Sequence, residues 1–410
     1  MSDDNDIVTT ATEMNMKMKM KRLSLIDIGI EDLKAVDNKW GDAVPGVDGN
    51  IYGIPFYASH VVQCNINMNT DMDISITDRS IDNVESSTTS ISMKEIGPDF
   101  GYGPWNKWGK GVLTPSGIIY CIPYCSDSVL KIDTNIGQTN GNVTIMNAIL
   151  PEKGEYKWLS GAISKIDGCI YCMPNTARRI LKIDPVNDTV ESVGEDLGGQ
   201  AHKYWGTVAD ENGIIYGIPC NSTRIIKIDP TPTIQCDADA GTISTSTSIV
   251  GKEADKKIRC RDGVLAHDGN IYSANDKGDI LRIDVKQNAY AIIENTLEES
   301  SSSPLDNNNK DRDRDRLEGW GDPVIGQDKC IYMPPLNANH VMKFNTITQR
   351  QSLVKVLGDE NMVGDNKWIT GALVSNGSIY CIPRDADHVL AIDTRPGRQF
   401  EGFSDEGTCM

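Results

Sequence analysis

Residues 107–123, "KWGKGVLTPSGIIYCIP", decide the fold. The stretch opens on Lys-Trp, passes through a short apolar segment, turns at Ser116-Gly117 and continues as an apolar strand that stops at Pro123. Nearly the same phrase occurs seven times. Aligned on the tyrosine of the second apolar run, the copies centre on Tyr52, Tyr120, Tyr171, Tyr216, Tyr272, Tyr332 and Tyr380, spaced by 68, 51, 45, 56, 60 and 48 residues. A constant phrase at variable spacing marks a structural repeat with loops of different length.

Each unit turns at a short pair: Asp48-Gly49, Ser116-Gly117, Asp167-Gly168, Asn212-Gly213, Asp268-Gly269 or Asn376-Gly377, with Asp328-Lys329 the one departure. Asn-Gly and Asp-Gly between apolar runs signal a hairpin, and a type I′ turn with positive φ at both central residues is expected. A polar loop follows the proline, then a third strand such as "VLKID" (129–133), "ILKID" (180–184) or "VLAID" (389–393), and in most units a weaker fourth such as "TSIVG" (247–251). The aspartates that close the third strand are turn residues before they are anything else.

Four short antiparallel strands in seven copies specify an all-β chain, a seven-bladed β-propeller. Neighbouring blades cover both faces of each sheet, which explains why "IIYCIP" is apolar nearly throughout. The seventh unit lacks a convincing fourth strand, whereas "RLSLIDIG" (22–29) precedes the first unit and resembles one. It is expected to close the last blade from the other end of the chain, leaving no open edge at the join. The propeller then spans 22–396, between tails at 1–21 and 397–410. Polar inserts at about 71–93 and 297–318 are expected to be disordered.

A net charge of −18 argues against nucleic acid or an anionic membrane as partner, because such binding neutralises phosphates with Lys and Arg. No run approaches the roughly 18 apolar residues of a spanning helix, and the first residues are acidic where a secretory signal is basic. The expectation is a cytoplasmic monomer. The eleven cysteines fall inside apolar strands and read as reduced. Cys121, Cys172 and Cys381 share one slot after the repeat tyrosine, and the pair Cys169/Cys172 lies within a strand without a second pair to complete a zinc site.

The unit "GVLAHDGNIYSANDKGDILRID" (263–284) resembles the repeat of NHL-type propellers and of the YVTN, virginiamycin B lyase-like and kelch-like propellers. The Lys-Trp opening and "IYCIP" ending are most similar to uncharacterised repeats of eukaryotic microalgae. The resemblance covers roughly 35–396 and implies architecture, with binding modules and enzymes both among its members.

Six of the seven tryptophans stand 11 to 13 residues before the repeat tyrosine: Trp40, Trp108, Trp158, Trp205, Trp320 and Trp368, with Cys260 in the fifth unit. The preceding residue is basic in Lys39, Lys107, Lys157, Arg259 and Lys367, whereas Tyr204 and Gly319 interrupt the series. In the topology this chain resembles, these pairs ring the mouth of the central channel. One reading has each Trp wedge between blades and each Lys meet a local carboxylate. The other has them line a funnel for a protein or a small anionic or sugar-like ligand. The loops after each proline, such as "FYASH" (56–60), "NTARR" (175–179), "CNSTR" (220–224) and "RDADH" (384–388), differ between units as a recognition surface should.

The alternative is a cation-dependent hydrolase or lyase of lactonase-like kind. Two residues after the Trp position stand Asp42, Lys110, Ser160, Thr207, Asp262, Asp322 and Thr370. Asp42, Asp262 and Asp322 could hold Ca²⁺ there, or pair with nearby lysines. No other cofactor is indicated. His60, His340 and His388 share a place before the third strand, too far from the axis to share a metal, and read as solvated loop residues. No nucleophile elbow, Walker loop or zinc-protease motif is present, and no catalytic residue is assigned.

Overall fold

In the computed structural model, the described residues are 23–27, 39–68, 89–102, 106–135, 143–235, 242–275, 277–297, 319–355 and 366–396. They form seven four-stranded antiparallel sheets and contain no helix, hence none long and apolar enough to cross a membrane. Six sheets take their strands in chain order, the first being Trp40–Pro45, Ile51–Pro55, Val61–Met68 and Thr89–Ile96. The seventh consists of Ala372–Leu373, Ser378–Cys381 and His388–Asp393, completed by Leu23–Asp27. Leu23 lies opposite Ile392 and Asp27 opposite His388, so the ring closes with strands from both ends of the chain.

The first insert is shorter than the sequence suggests: 89–93 belong to the outer strand of blade one, where Thr89 pairs with Met68. The two tails, 71–88 and 298–318 lie outside the described residues.

The hairpins form where expected, with a different turn. Gly46 N donates to Asn50 O (2.8 Å) and Gly49 N to Gly46 O (3.3 Å), leaving a three-residue loop in which only Gly49 has positive φ, at 83°. Thr114, Gly117 and Ile118 repeat the pattern. This is a type I turn followed by one left-handed residue. The residue before the glycine has negative φ in this turn, and Asp48 there accepts from Asn50 N (3.1 Å) and from the Tyr52 hydroxyl (2.7 Å). Asp167, Asp268 and Asp328 hold Tyr171, Tyr272 and Tyr332 at the same 2.7 Å. Blade two has Ser116 in that place, and the Tyr120 hydroxyl reaches Pro185 O and Asp188 of blade three instead.

Burial is greatest one strand out from the axis, since inner strands such as Cys260–Leu265 are partly open to the channel. The second strands, such as Ile51–Pro55, are buried throughout, while the outer strand Thr189–Val193 is half-buried to exposed. The core lies between blades: Val112, Tyr120 and Ile122 of blade two pack with Trp158, Ile170, Cys172 and Leu181 of blade three. Each such side chain contributes about 1.5–3 kcal/mol on leaving water. Nine cysteines are described, all free; Cys121, Cys172 and Cys381 are fully buried. Burial pushes the Cys64 and Cys169 thiols up to about 12.

Candidate functional site

The inner strands are too short to form a regular ladder from end to end, and most carry a bulge near the start. Trp40 pairs with Pro55 and Asp42 with Ile54, so Gly41 is extra; the same shift falls between Trp108 and Gly111, Tyr204 and Gly206, and Cys260 and Gly263. A bulge re-aims side chains. Here it turns the residues after the Trp position towards the axis. Neighbouring inner strands touch at these bulges: Lys110 N donates to Leu159 O (2.8 Å) and Asp322 N to Ile369 O (2.6 Å). A Cβ at Gly109 would collide with the Leu159 carbonyl, and one at Gly321 with that of Ile369.

This register corrects the fourth unit. Tyr204, not Trp205, pairs with Pro219 as Trp40 pairs with Pro55 and Trp108 with Pro123. Tyr204 therefore occupies the Trp position, Lys203 supplies the preceding base, and Gly206 instead of Thr207 aligns with Asp42. The spacing carried the signal, since Tyr204 precedes Tyr216 by the 12 residues that separate Trp40 from Tyr52. Trp205 is thereby released from the wedge row and placed with Gly41, Gly109, Leu159, Arg261, Gly321 and Ile369.

The wedge residues are buried. Trp40, Trp108, Trp158, Trp320 and Trp368 are at most 7% exposed, and Cys260 is fully buried. Each indole donates to a backbone carbonyl 20 or 21 residues on: His60 (3.4 Å), Ser128 (2.8 Å), Arg179 (2.9 Å), His340 (2.8 Å) and His388 (2.9 Å). The three histidines share this carbonyl position with Ser128 and Arg179, so capping the indole does not call for a histidine side chain.

The side chains of Lys107, Lys157 and Lys203 tie neighbouring segments together through backbone carbonyls. Lys107 Nζ donates to Tyr57 O and Gly101 O, both at 3.0 Å, and Lys157 Nζ to Gly154 O (2.7 Å) and Ser126 O (3.1 Å). Lys203 Nζ reaches Gln200 O (3.0 Å) and Thr176 O (3.4 Å). Burial lowers Lys107 and Lys203 to about 8. Their backbones serve the same end: Lys39 N donates to Arg384 O, Lys107 N to Phe56 O and Lys367 N to Leu336 O, each in the preceding blade. Lys39 and Lys367 are buried and Arg259 is half-buried.

The residues beyond the bulge do converge. Lys110 Nζ stands 2.7 Å from Asp262 Oδ2 and 2.6 Å from Asp322 Oδ2, joining blades two, five and six. Asp262 also accepts from Ser160 Oγ (3.3 Å), Thr207 N (3.2 Å) and Gly263 N (2.8 Å). Asp42 accepts from Ala43 N and Gly111 N, both at 2.9 Å. Burial alone would strip the Lys110 proton, but Asp262, Asp322 and Asp42 outweigh it and hold the ammonium above the usual lysine range. Burial raises Asp262 despite Lys110, and raises Asp42 to about 6. Among the described residues no set of three His, Cys, Asp or Glu lies where it could hold a metal ion. The cation that Asp262 and Asp322 share is Lys110.

Above this array opens a cavity of about 320 Å³, lined by Tyr57, Asn106, Lys110, Tyr124, Trp205 and Arg384 among others. Four of the lining residues belong to a chain of ring contacts, Tyr57–Phe56 (5.6 Å), Phe56–Tyr124 (5.9 Å, stacked), Tyr124–Tyr156 (5.2 Å), Tyr156–His202 (6.0 Å) and His202–Trp205 (6.3 Å, stacked), in which Tyr156 and His202 stand behind the wall. Arg261 lies 5.3 Å from the Trp205 ring and Arg384 5.3 Å from Phe56. Burial, then the charge of Arg261, lowers Arg384 to about 10. Phe56, Tyr57 and Arg384 come from the post-proline loops that the sequence singles out. Arg261 and Asn106 carry no such signal.

No family model matches the chain, and no curated protein matches it. Solved structures do. A streptogramin B lyase aligns with 91% of this chain and 97% of its own at 11% identity and a TM-score of 0.60. YCF48 bound to D1 peptide aligns over 92% and 96% at 10% identity and 0.54. The extracellular domain of BT4673 from B. thetaiotaomicron aligns over 94% of this chain and 47% of its own at 11% identity and 0.53. At this level of identity the likeness shows the fold, a seven-bladed β-propeller similar to that of the streptogramin B lyase.

Proposed function

We propose that the protein is a binding propeller that takes a small ring-bearing molecule in the cavity above the Lys110 array. The observation that carries this reading is the set of four aromatic side chains lining the cavity, Phe56, Tyr57, Tyr124 and Trp205, beside Arg384. Aromatic faces stack on sugar or aromatic rings, and the cavity volume falls within the range of small-molecule sites. The Lys-Trp pairs frame the site and do not contact its occupant. The carboxylates of the array are engaged by Lys110 and backbone amides, so a binding role uses the geometry as it stands.

The test is tryptophan emission during titration with monosaccharides, their acids and phosphates, and aromatic carboxylates. A saturable change that disappears in Trp205→Phe supports the reading. YCF48, a propeller of the same fold, carries a peptide. Binding of an acidic peptide on this face, with no response to any small molecule, would overturn it.

A further inference from the structure

We propose that Arg261 and Arg384 form an oxyanion subsite beside Trp205, so that the occupant is an anionic sugar, its carboxylate or phosphate held by the two guanidiniums. This rests on the cavity being the ligand site.

Arg261 is only 7% exposed, yet its Nε and one Nη make no hydrogen bond among the described residues. A buried guanidinium with idle donors is costly unless something accepts from them. Asp322, whose charge acts on Arg261, and Asp262, next to Arg261 in sequence, both close on Lys110. The bulge of the inner strand gives Arg261 the place that Gly41, Leu159, Trp205 and Ile369 hold in other blades, and those four line the cavity. Its guanidinium meets the Trp205 ring from that place.

Arg384 lines the cavity from a post-proline loop, whereas Arg261 stands behind the lining residue Trp205, close enough for the two charges to be felt by each other. Two buried cations in mutual repulsion are stabilised by an anion between them. Guanidinium suits this role better than ammonium, because its planar donors match carboxylate and phosphate oxygens. A third group completes the chemistry. Asn106 lines the cavity, and its Oδ1 is buried without a hydrogen bond among the described residues, an acceptor suited to a hydroxyl. Cations, a hydroxyl acceptor and ring faces together match a sugar acid or sugar phosphate.

The experiment is calorimetric titration of the full chain with glucuronate, glucose 6-phosphate and glucose, repeated on Arg261→Gln and Arg384→Gln. Either acid is expected to bind at least tenfold tighter than glucose, and each variant to remove that advantage, read as the ratio of acid to glucose affinity within the same variant. The tighter of the two acids distinguishes carboxylate from phosphate. Equal affinity for glucose and both acids, or an advantage that survives both variants, would sink the subsite and leave the cavity reading intact. If none of the three binds, the subsite falls, and the cavity reading is decided by the aromatic carboxylates of the emission titration. Should the variants fail to fold, the comparison of glucuronate with glucose on the native chain decides alone.

Discussion

Lys110 in the second blade and Asp322 in the sixth meet at 2.6 Å although 212 positions separate them. The two blades are not neighbours, so the ion pair spans the channel. With Asp262 it ties three inner strands together at the axis, where each would otherwise present an isolated buried charge.

Replacing Lys110 with Met leaves two buried carboxylates without their cation. Breaking a buried pair from one side costs about 3–5 kcal/mol, whereas removing all its members together is often close to neutral. Lys110→Met is expected to lower the urea midpoint sharply, and Lys110→Met combined with Asp262→Asn and Asp322→Asn to recover most of the loss. A midpoint unchanged in the single variant would mean that the array contributes nothing.

Asp42 gives a pH signature. Its folded pKa of about 6 exceeds the unfolded 3.8, so the folded state holds the extra proton between those values. Its favourable contribution is complete below about pH 4 and is lost as pH rises through 6. Asp42→Asn is therefore expected to gain about 1–2 kcal/mol on the native chain between pH 4 and pH 7.5, read as melting curves across that range. A constant difference would contradict the burial of this carboxylate.

Two tryptophans should behave oppositely. Trp158 is fully buried and caps Arg179 O, so Trp158→Phe is expected to cost about 1–3 kcal/mol by leaving a gap and an idle carbonyl. Trp205→Phe should change stability by well under 1 kcal/mol and abolish the emission response to ligand. Equal destabilisation would return Trp205 to the wedge row.

Lys329 has φ 65° where the other blades place glycine, and it is exposed. Lys329→Gly is expected to raise stability by roughly 0.5–1 kcal/mol, because glycine takes the left-handed conformation without a Cβ penalty. Denaturation of the two proteins side by side checks it.

Deleting residues 1–28 removes the strand that pairs with His388–Asp393 and bares that edge. The truncated chain is expected to associate or aggregate on size-exclusion chromatography. A monomeric, fully folded truncation would show that the ring closes without this strand.

Much of this was readable along the chain. Apolar runs bounded by Asp-Gly and proline set strand, turn and stop locally, and seven copies leave little choice of architecture. The closing strand was visible because "RLSLIDIG" (22–29) matches the outer strands. The turn type differs from the expected one because an Asp-Gly pair fits both a two-residue and a three-residue loop, and only the backbone bonds, Gly46 N to Asn50 O and Gly49 N to Gly46 O, decide the loop length. The fourth unit was misaligned by one because Trp205 looks like the other tryptophans, although spacing favours Tyr204. The sequence left packing and a funnel both open for the lysines, because their type and period are visible along the chain but the carbonyls they meet are not.

The sequence by itself determined the blades, their number and the way the ring is joined, since these follow from short-range periodicity and turn chemistry. Tertiary structure alone decided which residues face one another across the axis. Lys110, Asp262 and Asp322 share a row, as do Trp205 and Arg261, but a row becomes a site only after closure sets the distances between blades and the bulges turn those side chains inward. Pairing of charges and filling of space depend on those distances, which no local pattern encodes.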